Sequence, residues 1–378
     1  MEMMYVEDCC EILDSMRVPI TASDREEGKY PYYGANGIQD YVADYIFNDE
    51  LVLLAEDGGN FGSKERPIAY RVSGKCWVNN HAHVLKPKVG LDVDYLCYSL
   101  MFYRVDGMVN GATRQKLTQA AMRKMQIPSR SMEEQAHIVG KLNRVIKIKN
   151  QRQQELQLLD KLIQARFVEM FGDLMINNKQ WMRLKISEIC TEIVDCINKT
   201  APTVEYETEY KMLRTTNVKN GEVDISDVKY VEQKAFDKWT RRSTPQNGDV
   251  LLTREAPMGQ VGLLHGVKND VFLGQRLVSY RCDSTKMEPI FLTYQMMSGY
   301  FQDQIKKTGK GSTVKHIPVP NCTEFEVFVP PIVKQKEFAT FVHQINKLKI
   351  ANFSNSAAIK PNINSTTHSR KRSISHGN

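Results

Sequence analysis

Apolar residues along this chain alternate between short strand-like runs and helical stripes, and the same order of elements occurs twice. In the first half, apolar runs followed by turn residues predict buried strands at residues 51–55 and 68–72. A helical pattern follows at residues 95–104. The second half has strand patterns at residues 249–253 and 260–264, and then a helical pattern that extends over residues 289–307.

The ends of the two halves also correspond. Each half has a turn rich in Gly, Thr and basic residues, at 111–116 and 311–315, and then an apolar segment that leads to Gln135 or Gln335. The apolar residues after these glutamines match at one constant shift: Ile138, Leu142 and Val145 correspond to Phe338, Val342 and Ile345. Because the repeat is far longer than a solenoid unit of about 20–50 residues, it indicates two globular modules.

Residues 132–171 contain no Pro and a single Gly, and their apolar residues recur three or four positions apart. This pattern predicts a coiled-coil-like helix. At 1.5 Å per residue, roughly 38 residues extend about 57 Å, which is too long to bury an apolar stripe within one small domain. Two interpretations stay open: an interdomain helix packed on its neighbours, or a spacer that holds two modules at a fixed separation. The predicted seam comprises Ile138, Leu142, Val145, Leu156, Leu159 and Ile163.

A second helix with the same start is predicted at residues 331–351, with Phe338, Val342 and Ile345 in its seam. Residues 352–378 have few apolar side chains and no periodicity, so we expect a disordered tail there. The second helix would then be shorter than the first and would leave the distal half of the first without a partner. Either another chain supplies that partner, or the reading frame is altered near residue 351.

Composition narrows the class of protein. The chain has 378 residues, of which 42% are hydrophobic and 25% charged, as expected for a globular protein of two or three domains. Its formal net charge of +7 permits a nucleic-acid partner without requiring one. The eight cysteines form no C-x-x-C pair and are interpreted as free thiols of a reducing compartment. Without a signal peptide or an apolar run of about 20 residues, a cytoplasmic protein with no membrane contact is expected.

Sequence motifs for enzymatic chemistry are incomplete. Residues 309–313 resemble the end of a phosphate-binding loop, but Gln304 stands where its first Gly is needed. His81 and His83 would share one side of a strand, yet no cysteine or histidine at ligand spacing completes a metal site, so a turn or core role is favoured. Glu56 and Asp57 at a strand end are interpreted as solvated turn residues. We therefore expect neither catalytic residues nor a bound metal.

Basic and amide side chains are concentrated at the turns of both modules. Arg and Lys can contact phosphates, while Arg, Asn and Gln suit base edges. Each such residue alone is most simply a surface polar group, but their clustering in both copies indicates DNA binding. The candidates are Asn36, Asn60, Lys64, Arg66, Arg114 and Lys116 in the first module, and Arg241, Arg242, Arg254, Gln275, Arg276, Lys310 and Lys315 in the second.

Three segments carry a resemblance to a known family. Residues 28–38 with 51–59, and again 253–262, resemble target recognition domains of the specificity (S) subunit of type I restriction-modification enzymes. Residues 331–335, from Pro to Gln, are similar to that family's boundary between a recognition domain and a conserved helix, and residues 131–135 match it with Ser in place of Pro. The duplicated order over about residues 5–350 carries the resemblance further than any single motif.

The resemblance implies an α+β fold: two target recognition domains of mixed sheet and helices, at residues 1–131 and 172–330, separated by long coiled-coil-like conserved helices at 132–171 and 331–351. It implies a non-catalytic subunit whose domains each recognise one half of a bipartite double-stranded DNA target. The conserved helices would set the gap and dock modification (methyltransferase) subunits. S-adenosylmethionine, ATP and Mg²⁺ would be bound by those subunits and by the restriction (translocase and nuclease) subunits, and no cofactor by this chain.

The chain departs from the family pattern in two ways. The first module has little sequence before its early strands, whereas the second opens with residues 181–189. The short second helix predicts weaker docking of one modification subunit. Two other functions stay open: a helical protein-interaction scaffold without DNA specificity, and a self-sufficient nuclease or methyltransferase.

Overall fold

The chain forms two compact units, Met1–Gln151 and Arg152–Asn378, in a computed structural model that describes residues 2–111, 114–309 and 315–357. The boundary between the units falls inside the long predicted helix. Residues 132–151 belong to the first unit and residues 152–171 to the second. The helix therefore contributes residues to both units.

The first unit is built on a six-stranded sheet with the order β2-β7-β5-β6-β3-β4. Its strands are β1 Met3–Tyr5, β2 Cys10–Ile12, β3 Glu27–Gly34, β4 Gly37–Val42, β5 Phe47–Ala55, β6 Ala69–Val78, β7 Ala82–Pro87, β8 Val109–Asn110, β9 Lys116–Leu117 and β10 Gln126–Pro128. Its helices are α1 Val6–Cys9, α2 Val93–Leu100, α3 Gln119–Arg123 and the first half of α4 Met132–Phe171, which continues into the second unit, with 3₁₀ turns at Asp14–Met16 and Ala22–Asp24.

The central strand β5 explains why its sequence has a continuous apolar run. Val52 and Leu54 lie in a core that α2 covers, while Leu51 and Leu53 point into a second core on the opposite side of the sheet. Since both faces of the strand are covered, alternation of apolar and polar residues is not needed. The strand pairs antiparallel with β6 on one side and with β7 on the other.

The second unit contains a six-stranded sheet, β12-β20-β17-β18-β15-β14, and a three-stranded sheet, β16-β13-β19. Its strands are β11 Arg183–Lys185, β12 Cys190–Asp195, β13 Tyr210–Leu213, β14 Val218–Lys219, β15 Gly221–Val223, β16 Lys229–Val231, β17 Val250–Thr253, β18 Val261–Leu263, β19 Val271–Leu273, β20 Leu277–Cys282 and β21 Glu326–Phe328. Its helices are α5 Gln233–Thr240, α6 Pro289–Met297, α7 Gly299–Thr308 and α8 Ile332–Ala357, with 3₁₀ turns at Ile186–Glu188, Thr215–Asn217 and Val319–Thr323.

Equivalent strands recur in both units. In the first, β1 pairs antiparallel with β10; in the second, β11 pairs in the same way with β21. The pairing of β5 with β6 and β7 is likewise repeated by β17 with β18 and β20. The first module has little sequence before its early strands, yet three residues of it form the strand β1 that corresponds to β11.

The helix predicted over residues 289–307 is two helices. Ser298 is extended, with φ −67° and ψ 156°, and it separates α6 from α7. Its carbonyl accepts from the Gln302 N–H at 3.0 Å, and its hydroxyl donates to the Gln295 carbonyl at 2.6 Å. The apolar periodicity continues across this break because Phe301 and Ile305 of α7 return to the core of the same unit.

The final described helix differs from its prediction in length and in partner. α8 reaches Ala357 and does not end at residue 351, since neither Pro nor Gly interrupts the chain before Pro361. It packs antiparallel on residues 152–171: Phe338 contacts Phe167, and Lys349 pairs with Asp160 at 2.6 Å. The distal half of α4 therefore has a partner within its own unit. The tail was predicted over residues 352–378. Residues 352–357 belong to α8, and the rest lie outside the described residues.

Two further features agree with expectation. The α+β class, with two domains of mixed sheet and helices and a long helix, is confirmed. All eight cysteines are free thiols.

Among the residues that the structure describes, no helix combines the length and apolar character needed to cross a bilayer.

Candidate nucleic-acid interface

A cleft of about 520 Å³ in the first unit brings together three of the predicted DNA-contact residues, Asn36, Asn60 and Arg66. Tyr33 and Tyr70 also line this cleft, with their ring centroids 5.7 Å apart. The Tyr70 hydroxyl donates to the Gly34 carbonyl, and burial raises the pKa of Tyr70 well above its usual value. The tyrosines were missed in the sequence because each lies in a strand whose alternation is explained by packing alone.

The turn after β5 links this cleft to the segment that carries Arg114 and Lys116. Asn36 Nδ2 donates to the Gly58 carbonyl at 2.9 Å, and the Gly58 N–H donates to Gln115 at 3.2 Å. Gly58 has φ +60°, a left-handed conformation that favours glycine. All six first-module candidates therefore lie on connected segments at one end of β5, and Lys64, on the same loop as Asn60 and Arg66, is exposed.

Two of these cations already have acidic partners. Arg114 lies 2.9 Å from Asp57, and Lys116 lies 3.0 Å from Glu56, although more than half of each basic side chain is exposed. His81 Nδ1 also lies 2.6 Å from the Asp57 carboxylate. The positive potential of this loop is therefore reduced by acids, and its side chains are held in defined positions rather than left free.

The interpretation of Glu56 as a solvated turn residue is wrong. Glu56 is buried, and its carboxylate contacts Arg17 at 2.6 Å in addition to Lys116. Burial alone would raise the pKa of Glu56, but hydrogen bonds from Arg17 and Lys116 outweigh it and hold that pKa below its usual value. The sequence could not show this because Arg17 and Lys116 are far from Glu56 along the chain.

Asp14 and His83 complete this buried network. His83 Nδ1 lies 2.7 Å from Asp14, which also accepts from Gln119 at 2.9 Å and from the Val84 N–H at 2.9 Å. Burial by itself raises the pKa of Asp14, yet the bonds from His83 and Gln119 leave it lower than usual. The core role expected for His83 is thus observed, while His81 lies outside β7 and not on a shared strand face.

The donor atoms of Asp14, Glu56 and His83 lie within 4.8 Å of one another, as ligands of a metal ion would. Their electrostatics do not fit an ion. Arg17 and Lys116 already supply positive charge to the two carboxylates, and both His83 nitrogens face oxygen acceptors. The geometry supports an ion-pair network that fixes the loops around it.

The second unit has a comparable cleft of about 380 Å³, which contains Gln275 and Arg276 from the predicted set. Arg214 and Thr215, which the sequence analysis did not select, also line it. Arg276 Nη1 pairs with Glu255 at 2.7 Å, and its backbone has φ +71°, a left-handed conformation that is strained for a side chain of this size. Arg214 lies at the end of β13 as a single basic residue, so no local pattern indicated it.

The remaining second-unit candidates do not share this cleft. Arg241 is exposed at the end of α5, and Arg242 pairs with Asp195 at 2.9 Å. Arg254 was expected to contact DNA, but it is 6% exposed. Its guanidinium points into the protein, where Nη1 donates to the Ile317 carbonyl at 3.0 Å. Lys315 is exposed, and Lys310 lies outside the described residues.

The predicted helix seam is divided by burial. Ile163, Phe338, Val342 and Ile345 are buried in the second unit, and Leu156 and Leu159 are half-buried. In the first unit Ile138 is half-buried, but Leu142 and Val145 are 36% and 53% exposed. The seam is therefore covered on α8 and remains accessible at the equivalent positions of α4.

Comparison with known proteins identifies the family. A family model described as type I restriction modification DNA specificity domain matches residues 1–158 and 178–359. A putative type I restriction enzyme specificity subunit of Haemophilus influenzae is 24% identical over 354 residues, covering 91% of this chain and 87% of that protein. The MjaVIII specificity subunit of Methanocaldococcus jannaschii is 22% identical, covering 92% and 86%.

The fold is also shared with a solved structure. The crystal structure of the S subunit of a type I restriction-modification system from M. genitalium aligns with a TM-score of 0.58, covering 94% of this chain and 92% of that one at 12% identity. Since the family model matches both halves of the sequence, this chain belongs to the type I restriction modification DNA specificity family.

Proposed function

We propose that this chain is the DNA sequence-specificity subunit of a type I restriction-modification complex. Each of its two modules would recognise one half of a bipartite duplex target. The observation that carries the proposal is a polar cleft in each module: Asn36, Asn60 and Arg66 line one, and Arg214, Gln275 and Arg276 line the other. Arg, Asn and Gln are the side chains whose paired donors and acceptors match base edges in the major groove.

Different residues in the two clefts support different half-sites. The first cleft offers two asparagines beside one arginine, a set suited to adenine and guanine edges; the second offers two arginines and one glutamine. Glu255 beside Arg276 adds an acceptor that suits a cytosine amino group. The target would then be asymmetric, with a different half-site sequence for each module.

The chain would contribute no catalytic step of its own. The ion-pair network around Glu56 is closed by Arg17 and Lys116, so its carboxylates are poorly placed to activate water or hold a metal. Modification subunits would supply S-adenosylmethionine-dependent methylation, and restriction subunits would supply ATP- and Mg²⁺-dependent translocation and cleavage. Exposed apolar residues of α4, including Leu142 and Val145, offer a surface for the modification subunits.

Methylome sequencing of cells that carry this gene with its modification subunit tests the proposal. We expect methylated adenines in a motif of two short specified halves separated by unspecified bases. A continuous motif would contradict the assignment of one half-site to each module. The purified chain, incubated with duplex DNA, Mg²⁺ and S-adenosylmethionine, is expected to give neither cleavage nor methylation.

Salt dependence separates this function from a protein-interaction scaffold. A duplex carrying the motif should bind the full chain with an affinity that falls steeply as salt rises, because phosphate contacts release counterions. A duplex with both halves scrambled should bind more weakly at every salt concentration. Binding that is absent, or insensitive to salt, would favour the scaffold.

A further inference from the structure

The backbone hydrogen bonds at the ends of β5 and β17 show which residues of the two modules are equivalent. In the first unit, the Glu56 N–H donates to the His81 carbonyl at 2.9 Å, and the Leu117 N–H donates to the Glu56 carbonyl at 2.7 Å. In the second unit, the Arg254 N–H donates to Arg276 at 2.7 Å, and the Ile317 N–H donates to Arg254 at 3.0 Å. Glu56 therefore corresponds to Arg254, and Leu117 corresponds to Ile317.

Leu117 and Ile317 are the re-entry residues, at which the chain returns to the ends of β5 and β17. The carbonyl of each accepts a hydrogen bond from a buried side chain. His83 Nε2 lies 2.9 Å from the Leu117 oxygen, and Arg254 Nη1 lies 3.0 Å from the Ile317 oxygen. Both donors are buried, at 0% and 6% exposure, and both re-entry residues are at 0%. Such burial makes this bond hard to replace with water, so its loss would leave a desolvated carbonyl unsatisfied.

The two donors come from different places in the repeated frame. Strand pairing sets Leu54 opposite His83 in the first unit and Leu252 opposite Val278 in the second, so an apolar valine occupies the position that corresponds to His83. Arg254 instead occupies the position that corresponds to Glu56. The same backbone contact is therefore made in both units by side chains that do not correspond. This indicates that the contact is maintained although the residue that makes it differs.

The chemistry of both donors favours a strong bond. A carbonyl oxygen only accepts, so His83 Nε2 donates to Leu117, while its Nδ1 lies 2.7 Å from the Asp14 carboxylate, which orients the ring. Arg254 donates from a guanidinium, and hydrogen bonds from a cation are shorter and stronger than those between neutral groups. Each side chain therefore holds its carbonyl in a defined position.

The residues held in this way adjoin the predicted DNA contacts. Lys116 directly precedes Leu117, and Arg114 lies two residues further back; Lys315 lies two residues before Ile317. In the second unit Arg254 also fixes the carbonyl of Arg276, a residue of the cleft, through its own N–H. Movement of a re-entry carbonyl would displace these basic side chains relative to the DNA.

We infer that His83 and Arg254 are equivalent positioning residues, each of which fixes the loop that re-enters its module at Leu117 or Ile317 and thereby sets recognition of one half-site only. The inference rests on the proposed function. Neither side chain touches DNA in this arrangement. Their effect passes through the backbone to Lys116 and Lys315 and, for Arg254, to Arg276.

The test uses the full chain and three duplexes: the methylome-derived target, and two versions with one half scrambled. Discrimination at a half-site is the Kd for the duplex scrambled there divided by the Kd for the full target. His83→Leu is expected to lower discrimination about tenfold at one half, and Arg254→Met about tenfold at the other half. His83→Gln and Arg254→Lys, which keep a donor at the same place, are expected to retain most of it.

Val52→Ala and Val250→Ala are matched controls for simple destabilisation. These valines occupy corresponding positions of β5 and β17, are fully buried, and have apolar side chains that cannot donate a hydrogen bond to the re-entry carbonyls. Both controls are expected to lower the melting temperature and to keep both discrimination ratios. A loss of discrimination in the controls equal to that in His83→Leu or Arg254→Met would show that destabilisation alone explains the effect and would overturn the inference.

The remaining outcomes also decide it. Wild-type ratios in folded His83→Leu and Arg254→Met, or a loss at both halves in either, would contradict the inference. If either of these variants does not fold, His83→Gln or Arg254→Lys stands in its place, and loss of its half-site discrimination contradicts the inference. A wild-type chain without half-site discrimination would instead overturn the proposed function.

Discussion

Gln135 and Gln335 make the same three hydrogen bonds in their respective units. The Oε1 atom of Gln135 accepts from the Asp92 N–H at 2.8 Å, and its Nε2 donates to Gly90 and Arg130, both at 2.9 Å. Gln335 repeats this with Glu288 at 2.9 Å, Lys286 at 3.1 Å and Pro330 at 2.7 Å. Each glutamine thus ties the start of a long helix to the start of an earlier one.

Replacing either glutamine with leucine should destabilise its unit. Both side chains are fully buried, and leucine of similar size would leave one N–H and two carbonyls without partners. We expect Gln135→Leu and Gln335→Leu each to lower the free energy of unfolding by about 3 kcal/mol. Urea denaturation measures this loss. Gln153→Leu on the exposed face of α4 is the control, and an equal loss there would show that the buried hydrogen bonds are not responsible.

The two glutamines also show what the sequence could predict. Their constant spacing, and the apolar residues that follow at helical intervals, indicated two modules that end in a helix. This worked because each signal is local: a helix start and its stripe lie within a few turns of one another. The fold class and the family could be predicted for the same reason.

Contacts between distant segments could not be predicted in this way. Glu56 lies next to a turn, which suggested exposure, but it is buried and pairs with Arg17 and Lys116, which are distant from it along the chain. Arg254 carries a charge at a strand end, which suggested a DNA contact, yet the segment at Ile317 covers it. In both cases the burial of a charge is decided by a partner far away in the sequence.

The lowered pKa of Asp14 predicts a defined pH dependence. A carboxyl whose pKa is lower in the folded state than in the unfolded chain stabilises the fold above its ordinary value of about 3.9, and this contribution is lost as pH falls through the folded-state pKa. Asp14→Asn should therefore destabilise the protein near neutral pH, and the difference from wild type should narrow in acid. Thermal melts at about pH 7 and about pH 3 measure it.

Asp106→Asn is the control for that experiment, because Asp106 is exposed. Its melting temperature should follow wild type at both pH values. A difference for Asp14→Asn that stayed constant with pH would mean that lost packing, and not the lost charge, is responsible.

Phe338 should contribute strongly to the packing of α8 on α4. Its ring lies 5.4 Å from that of Phe167 and 5.7 Å from that of Phe171, measured between centroids, and the side chain is fully buried. Phe338→Ala is expected to cost about 3–5 kcal/mol of unfolding free energy, because it removes apolar contacts and leaves a cavity. Val333→Ala, at a site that is 74% exposed on the same helix, should cost little. Urea denaturation of the two variants compares them.

The exposed seam of α4 predicts the effect of one charge on complex assembly. Val145 is 53% exposed on a helix face where Leu142 is also accessible. Val145→Asp should leave the fold of the chain intact but reduce co-purification of the modification subunit, since an aspartate would be desolvated at an apolar contact. Val89→Asp introduces the same charge at a fully exposed loop site. Equal recovery of the modification subunit with both variants would exclude this face as the docking surface.

Substitutions of Arg276 should differ in their effect on stability but not in their effect on DNA recognition. Its φ of +71° is a conformation that glycine adopts at little cost, whereas other residues are strained there. Arg276→Gly should relieve about 1 kcal/mol of backbone strain, which offsets the lost pair with Glu255, a partly exposed contact worth at most about 1 kcal/mol. Arg276→Ala loses the same pair and keeps the strain, so it should be the less stable variant by about 1 kcal/mol.

Both substitutions should weaken binding of the target duplex to a similar extent, because each removes the guanidinium from the second cleft. Urea denaturation and duplex titration of the two variants therefore separate the backbone contribution from that of the side chain. If glycine were no more stable than alanine, the left-handed backbone would carry no strain. If glycine bound the target as wild type does, Arg276 would have no part in recognition, and the conformation of its backbone would need a purely structural explanation.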